Sequence, residues 1–204
     1  MAGIRQFDEN EALEKALVLF WQKGFAETSM QELAAATGVQ RGSLYNAYKG
    51  KGTFFLRVFD VYKDRFLAQL RDTLDKPKLR DSLRSFLETV IDSMTTGEPT
   101  RGCLTTNSAF GSNVIDPPVQ QALQGMLDAF EMLLLDRLQK GEKGVRLMCS
   151  PEDTAHLIVT FTRGLVVIER VYQDKARMLA TADSLIALLV GSPATVRYPS
   201  PPHI

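Results

Sequence analysis

The sequence predicts an all-α protein, and three observations carry this prediction. Apolar residues recur at steps of three and four over most of the chain, which is the spacing of one face of a helix. Glycine and proline interrupt these periodic segments about once per helix length. The strict alternation of apolar and polar residues that marks a strand is nowhere long enough to indicate a sheet, and no internal repeat is found.

The first two predicted helices are separated by a serine–threonine pair. The first helix carries a single apolar stripe that includes Leu13, Phe20 and Trp21. The second is short, and either Thr28 or Ser29 can cap its start, because both hydroxyls can accept from a free backbone N–H. It ends at Gly38, where a glycine suits the turn that follows a helix.

The third predicted helix, from Gln40 to Tyr48, is unusually polar. Leu44 and Ala47 are its only apolar anchors. A helix with so polar a face fits a groove better than a core. With the preceding helix and a tight turn at Val39, it forms a helix-turn-helix.

Six more helices are predicted from the same signals. They comprise a fourth from about Thr53 to Thr73, a fifth with the cleanest stripe from Leu83 to Met94, a short sixth beginning near Cys103, a seventh from 116–118 to Gly141, an eighth that begins at Ser150-Pro151, and a ninth from about Ala176 to Val190. The tail around 198–202 is expected to be extended or frayed.

The charge distribution favours nucleic-acid binding at the helix-turn-helix. The chain holds 24 basic and 24 acidic residues, so the net charge alone makes no case for DNA. The stretch 38–59, however, contains four basic residues and no acid. A small basic face of this kind is enough for phosphate contact but predicts modest nonspecific affinity.

Each candidate DNA contact follows from the geometry of a helix-turn-helix, whose second helix presents its N-terminal end to base edges in the major groove. Arginine pairs with guanine and glutamine with adenine, so the first turn is expected to read bases. The candidates are Gln40, Arg41 and Ser43 for bases, Gly42 for close backbone approach, Tyr45, Tyr48, Lys49 and Lys51 for phosphates, and Thr28 and Ser29 for hydroxyl or N–H contacts. The alternative is that the tyrosines are core aromatics and the lysines are merely solvated.

From about Phe7 to Phe59, the chain resembles the N-terminal domain of the TetR family of transcriptional regulators. The matching pieces, in order, are Lys23-Gly24-Phe25, Thr28-Ser29-Met30, Leu33-Ala34, Gly38-Val39, Gly42-Ser43-Leu44-Tyr45, Tyr48, Lys51 and Phe54-Phe55. The resemblance implies an N-terminal three-helix helix-turn-helix domain, residues 1–52, joined to a larger helical ligand-binding and dimerisation domain, residues 53–204. It also implies backbone contacts from Tyr45, Tyr48 and Lys51, and an unknown small-molecule effector bound among the middle helices.

The family dimerises through its last two long helices, and the eighth predicted helix is compatible with that role. Residues 156–168 are apolar almost all round, as expected for a helix buried against its own domain and a second subunit. Gly164 suggests a close crossing there. The alternative is an intramolecular core helix. A homodimer would present paired reading helices to double-stranded DNA with a palindromic operator.

Cys103 is a candidate redox or electrophile sensor. It follows the break at 97–99, so it is expected at the start of the short sixth helix, where free N–H groups and the nearby Arg101 would favour the thiolate. The Gly-Cys-Leu run resembles that of some TetR-family members, among which thiol-based sensors of reactive electrophiles are known. The alternative is a small buried hydrophobe. Cys149 is less promising.

Other classes of function have little support. No His, Cys or acid cluster has metal-ligand spacing, no cofactor motif is found, and no catalytic motif indicates an enzyme. No apolar run approaches the ~20 residues that span a bilayer, and no signal peptide is visible, so we expect a cytoplasmic protein. The sequence therefore predicts a transcriptional regulator that is released from its operator by an effector or by Cys103 modification. A repressor is favoured over an activator. The alternatives are an all-helical ligand-binding protein and a small helical enzyme without DNA binding.

Overall fold

The computed structural model describes residues 7–98, 100–110 and 116–191, and within these the fold is almost entirely helical. The helices are α1 Glu9–Lys23, α2 Met30–Thr37, α3 Arg41–Tyr48, α4 Lys51–Leu74, α5 Leu79–Thr95, α6 Leu104–Ala109, α7 Pro117–Lys140, α8 Pro151–Tyr172 and α9 Lys175–Leu189. Two short strands, β1 Arg146–Leu147 and β2 Val190–Gly191, pair antiparallel. The all-α prediction is confirmed, while the predicted tail at 198–202 lies outside the described residues.

Local capping chemistry sets several helix starts. Ser29 is the cap of α2, where its hydroxyl accepts from the Glu32 N–H and the Glu32 carboxylate accepts from the Ser29 N–H. Ser150 caps α8 in the same way by accepting from the Asp153 N–H. Gly38 ends α2 in the left-handed conformation that a helix-to-helix turn requires.

The first four helices share a small aromatic core. Phe20 of α1 packs edge-on against Phe54 and Phe55 of α4, with the ring centroids 5.0 Å apart for the second pair. Leu44 anchors α3 to this core and is fully buried. The position and tilt of α3 therefore depend on α1 and on the beginning of α4.

Helix α4 continues from this core into the larger helical unit. Its 24 residues span about 36 Å at 1.5 Å per residue. Its aromatic side chains continue in contact along the helix, from Phe55 and Phe59 to Tyr62 and Phe66, and then to Phe130 of α7. The boundary predicted at 52/53 falls in the first turn of this helix, and the division into 1–52 and 53–204 stays a prediction.

Helix α8 is buried on one face only. Ile158, Val159 and Leu165 pack into the core, while Leu157, Val167 and Val171 lie on the opposite face and are half-exposed or more. The alternative of an intramolecular core helix is therefore not met, and burial against a second subunit stays a prediction. Among the described residues, no helix is both long and apolar enough to cross a membrane.

Candidate nucleic-acid interface and thiol site

Helix α3 presents one polar face to solvent. Leu44 and Tyr48 fix its inner side, and both are buried. The outer side carries Arg41, Gly42, Tyr45 and Asn46, which are exposed and recur at the spacing of one helix face; Gln40 at the N-cap and Lys49 at the C-cap are also exposed. Ser43 lies at the edge of this face and is half-buried. The outer side is the candidate reading face.

The charges around the reading face are distributed unevenly. Lys23 pairs with Glu32 and Arg65 with Glu14, so cations of α1 and α4 are partly neutralised. Arg41 and Lys49 form no ion pair within the described part of the chain. Arg41 is the first residue of α3 and Lys49 is its C-cap, so the two cations lie at opposite ends of the reading face.

The structure corrects the predicted contact between Thr28 and DNA. Its side chain is 1% exposed, and its hydroxyl donates to the Gly24 carbonyl at 2.7 Å. Its N–H points to the Phe25 carbonyl at 3.4 Å. Neither group is available to DNA, so Thr28 closes the loop between α1 and α2 instead. Ser29 is exposed, but the cap already uses its hydroxyl and N–H, and its contact with DNA stays a prediction.

Tyr48 is also corrected, because it serves the domain core, while the DNA contact of Lys51 stays a prediction. The Tyr48 ring is buried and stacked on Phe54 with centroids 4.2 Å apart, and its hydroxyl donates to a Glu9 carboxylate oxygen at 3.3 Å. The Lys51 ammonium donates to the carbonyls of Phe25 and Ala26 at 2.9 and 3.1 Å. Burial lowers the pKa of Lys51, although Glu27 and Glu32 oppose that shift. Tyr45, by contrast, is 56% exposed, and its contact with a phosphate stays a prediction.

Asn46 is a candidate that the sequence analysis missed. It is exposed and lies four residues after Gly42 on the outer face of α3. The spacing of four was the available signal, and an asparagine side chain can pair bidentately with adenine.

Cys103 lies at the start of α6, as predicted, and is partly buried. Its nearest charged neighbour is Arg163 of α8, whose Nη1 donates to the Cys103 Sγ at 3.2 Å. The other guanidinium nitrogens of Arg163, Nε and Nη2, donate to the Thr162 hydroxyl. The guanidinium also lies 5.6 Å from the centre of the Phe130 ring. This geometry holds a positive charge against the sulfur.

The pKa of the Cys103 thiol is lowered. Burial acts in the opposite direction and is the largest single influence, but Arg163 and the N–H groups of Thr105 and Thr106 together outweigh it. Nearby, burial and then the proximity of Cys103 raise the pKa of the Tyr62 phenol. A thiolate at Cys103 is therefore stabilised, which is the condition for a reactive cysteine.

Arg101 does not have the predicted role beside the sulfur. Its guanidinium lies 3.8 Å from the centre of the Trp21 ring, and its Nε donates to the Ser93 carbonyl. Arg163, which is 60 residues away in sequence, supplies the positive charge instead.

The segment that carries Cys103 is tied directly to α1. Trp21 Nε1 donates to the Gly102 carbonyl at 2.9 Å, and Asn107 Nδ2 donates to the Trp21 carbonyl at 2.9 Å. Gly24 packs so closely on Asn107 that an added Cβ would lie 2.9 Å from the Asn107 carbonyl carbon and nearer still to its oxygen. We call Trp21, Gly24, Gly102 and Asn107 the α1–α6 latch.

Two family profiles match the chain, one in each region. The profile for bacterial regulatory proteins of the tetR family matches residues 12–58, which span most of α1 to the middle of α4. The profile for the tetracyclin repressor-like C-terminal domain matches residues 80–185, which is about half of the chain. The chain belongs to the TetR family. It is a DNA-binding transcriptional regulator of the helix-turn-helix class, and the family is not one of enzymes.

Relatives of known sequence agree with this assignment. The HTH-type transcriptional repressor ComR of Escherichia coli (strain K12) is 33% identical over 104 residues, which span half of each chain. The uncharacterized HTH-type regulator YezE of Bacillus subtilis (strain 168) is 27% identical over 147 residues, covering 70% of this chain and 76% of its own.

Two solved structures are similar to this chain over most of its length. CifR, as a cysteine mutant complexed with 26-bp double-strand operator DNA, is 26% identical with a TM-score of 0.80, covering 90% of this chain and 98% of that one. The reduced form of E. coli NemR is 17% identical with a TM-score of 0.81, covering 91% of this chain and 98% of that one. At this identity the similarity is one of fold alone.

Proposed function

We propose that the protein is a dimeric repressor that binds a palindromic operator through α3 and is released when an electrophile modifies Cys103. The observation that carries this proposal is the Arg163 guanidinium 3.2 Å from the Cys103 sulfur, at the start of a helix latched to α1. The thiol chemistry and the link to the reading domain thus meet in one short segment.

The reading step uses the outer face of α3. Gln40, Arg41 and Ser43 lie in its first turn and are proposed to contact bases, with Asn46 added one turn later. Gly42 allows close approach there, and Tyr45 and Lys49 are proposed to hold phosphates, which set the position of the helix without specifying sequence.

The chemical step is addition of the thiolate to a conjugated carbonyl compound. The sulfur lone pair forms an S–C bond as the C=C π pair moves toward the carbonyl oxygen, and the α carbon then takes a proton from water. Arg163 lowers the cost of the thiolate before the reaction and loses its anionic partner after it. The product is a neutral thioether larger than the thiol.

The coupling step follows from where that thioether sits. Arg163 contacts the sulfur directly, so an added group must displace Arg163 or shift the start of α6. Any shift of Gly102 or Asn107 is transmitted to Trp21 through the α1–α6 latch. A tilt of α4 would accompany it because α1 and α4 share one core.

A non-covalent effector is the second proposed input. A largely apolar groove of about 350 Å³ lies between α1, α6 and α8 and is lined in part by Gln22, Thr106, Asn107 and Val166. A small molecule seated there would contact Asn107, which belongs to the α1–α6 latch, and could therefore act on the latch directly.

Dimerisation is proposed through α8 and α9. Leu157, Val167, Val171 and Leu188 are 47, 57, 68 and 73% exposed, and the first three form one stripe on α8. Gly164 lies in the middle of that stripe, and an added Cβ there would meet nothing within 4 Å. An unpartnered apolar stripe with a flat centre fits a second copy of the same helix.

The test uses fluorescence anisotropy of labelled DNA from upstream of the protein's own gene, with N-ethylmaleimide as the electrophile. A Cys149→Ser background removes the exposed second thiol. We expect N-ethylmaleimide to lower the DNA affinity in this background and to leave the affinity of the Cys103→Ser, Cys149→Ser double variant unchanged. Equal responses of the two proteins, or none from either, would overturn the sensor proposal. Absence of DNA binding would overturn the repressor proposal.

The role of Arg163 has its own readout, the pH dependence of the alkylation rate. In Arg163→Gln the raising effect of burial is no longer opposed by a cation, so the midpoint of the pH–rate profile should move to higher pH. Arg163→Lys keeps the charge and should keep most of the lowered midpoint. An unchanged midpoint in Arg163→Gln would refute the assigned role.

A further inference from the structure

A second cavity lies between the DNA-binding and regulatory regions. It has a volume of about 610 Å³ and is walled by α1, by the loop between α5 and α6, and by Arg170 of α8. The α1 wall contains Val18, Trp21 and Gln22, and the loop contributes Thr96, Thr100 and Arg101 among others. We call it the interdomain groove.

Arg101 is a half-buried cation without an anionic partner. Its Nε donates to the Ser93 carbonyl and its plane stacks on Trp21, but within the described chain its two terminal nitrogens make no hydrogen bond or ion pair. Burial lowers the pKa of Arg101, which means that the site penalises its charge. A charged group removed from water is normally compensated by a partner.

Arg137 shows how this chain treats an arginine with a purely structural role. Its side chain is buried, and all three nitrogens donate to oxygen atoms of Ser82, Gly141, Lys76 and Pro77. Arg101 therefore differs from Arg137, because its two terminal nitrogens have no hydrogen-bond partner among the described residues.

The other walls supply a second cation and an apolar surface. Arg170 is exposed and also has no ion pair within the described residues. Val18 is 56% exposed, although Phe20 and Trp21 of the same helix are buried. A ligand that is anionic at one end and apolar at the other would satisfy both features.

We propose that the interdomain groove binds a small organic anion, whose carboxylate or phosphate oxygens accept from the terminal nitrogens of Arg101 and whose body lies against Val18 and Trp21. A planar guanidinium fixed by stacking presents its donors in one plane, which matches a carboxylate or two phosphate oxygens. The site contains neither Cys103 nor the reading face of α3, but it shares Trp21 with the α1–α6 latch. Anion binding is therefore measured without DNA and without an electrophile, so that its failure is distinguishable from failure of the repressor proposal.

Two carboxylates add negative charge in or near the interdomain groove. Glu98 lines the groove, and buried Glu169 accepts from the Thr100 hydroxyl behind its wall. Neither forms an ion pair with Arg101 or Arg170. Attraction of the anion therefore rests on short contacts rather than on the net field, and Glu98 opposes binding.

Trp21 is the single tryptophan of the chain, so its fluorescence reports on this groove without a label. The titration uses benzoate, phenyl phosphate and the neutral benzamide with the full-length protein in the absence of DNA. We expect a saturable change with at least one anion and none with benzamide at the same concentrations. The stronger of the two anions identifies the preferred group.

Variants of the groove residues test whether the change in Trp21 fluorescence comes from binding in this groove. A hydrogen-bonded charge is worth enough that Arg101→Gln should weaken binding roughly tenfold or more, while Arg84→Gln, an exposed arginine on α5 paired with Glu88, should leave it unchanged. Glu98→Gln should tighten binding, because it removes an opposing charge. Circular dichroism verifies that each variant is folded, and Arg170→Gln provides a second test if Arg101→Gln does not fold.

The outcomes separate this inference from the sensor proposal. Anion binding should persist in Cys103→Ser, where release by N-ethylmaleimide is lost. Saturable binding of benzamide equal to that of benzoate would overturn the anion assignment. Linear quenching by all probes, or full retention of binding in Arg101→Gln and Arg170→Gln, would overturn the site.

Discussion

Gly24 allows the α1–α6 latch to be tested by a single methyl group. Its backbone has φ 73° and ψ 178°, a region that is essentially restricted to glycine, and an added Cβ would lie 2.9 Å from the Asn107 carbonyl carbon. Because that atom belongs to the backbone, no rotamer change relieves the overlap. In Gly24→Ala, α1 and α6 must separate to restore ordinary contact.

A matched control isolates the contact from the backbone strain. Gly141 has a similar conformation, φ 60° and ψ −166°, but an added Cβ there meets nothing within 4 Å. Gly141→Ala should therefore show the strain alone, about 1–3 kcal/mol of lost unfolding free energy. Gly24→Ala should lose that amount and roughly 1–3 kcal/mol more from overpacking.

Denaturant unfolding measures the two stabilities, and operator anisotropy measures the functional consequence. We expect Gly24→Ala, and not Gly141→Ala, to change DNA affinity and to reduce its response to N-ethylmaleimide. Equal losses of stability in the two variants would refute the argument, because they would mean that α1 and α6 separate at no cost. An unaltered N-ethylmaleimide response in Gly24→Ala would refute the latch as the route of coupling.

Further expected outcomes concern the reading face, the dimer and the helix cap. Arg41→Ala should cost about 1–3 kcal/mol of operator binding and relax the sequence preference, and Lys49→Ala should reduce the slope of log K against log salt by about 1, both by anisotropy over a salt series. Val167→Glu should yield monomers in light scattering and lose operator affinity, while Met132→Glu, equally exposed on α7, should stay dimeric. Lys23 and Ser29 lower the pKa of Glu32 to about 2 from the ordinary 4.5, so its stabilisation is complete above pH 4.5 and lost as pH falls toward 2. Glu32→Gln should lose that acid dependence in pH-dependent unfolding, and a dependence identical to that of the parent would contradict the assignment.

The sequence was sufficient for features that depend on neighbouring residues. Helical spacing and caps predicted the order of the helices, and Ser29 and Ser150 cap α2 and α8 because their partners lie three residues away. The polar face of α3 was visible for the same reason. Its exposure follows from two buried anchors, Leu44 and Tyr48, one turn apart.

Contacts between distant segments could not be read from the sequence. Thr28 was assigned to DNA because it lies at the start of the second helix, but in the fold its hydroxyl donates to the Gly24 carbonyl. Lys51 reaches carbonyls 25 and 26 residues before it, which only the packing of α4 against the α1–α2 loop reveals. The contact between Cys103 and Arg163 and the hydrogen bonds of the α1–α6 latch join residues that are 60 to 86 positions apart in the sequence. No local pattern reveals such contacts.

The fluorescence of Trp21 during modification of Cys103 shows whether the α1–α6 latch carries the signal from the thiol to the DNA-binding region. Trp21 donates to the carbonyl of the residue before Cys103, so a signal that passes through the latch must alter its emission. In the Cys149→Ser background, the account predicts that N-ethylmaleimide changes Trp21 emission at the same rate as it releases operator DNA, with neither change in the Cys103→Ser double variant. Release of DNA with Trp21 emission unchanged would contradict it.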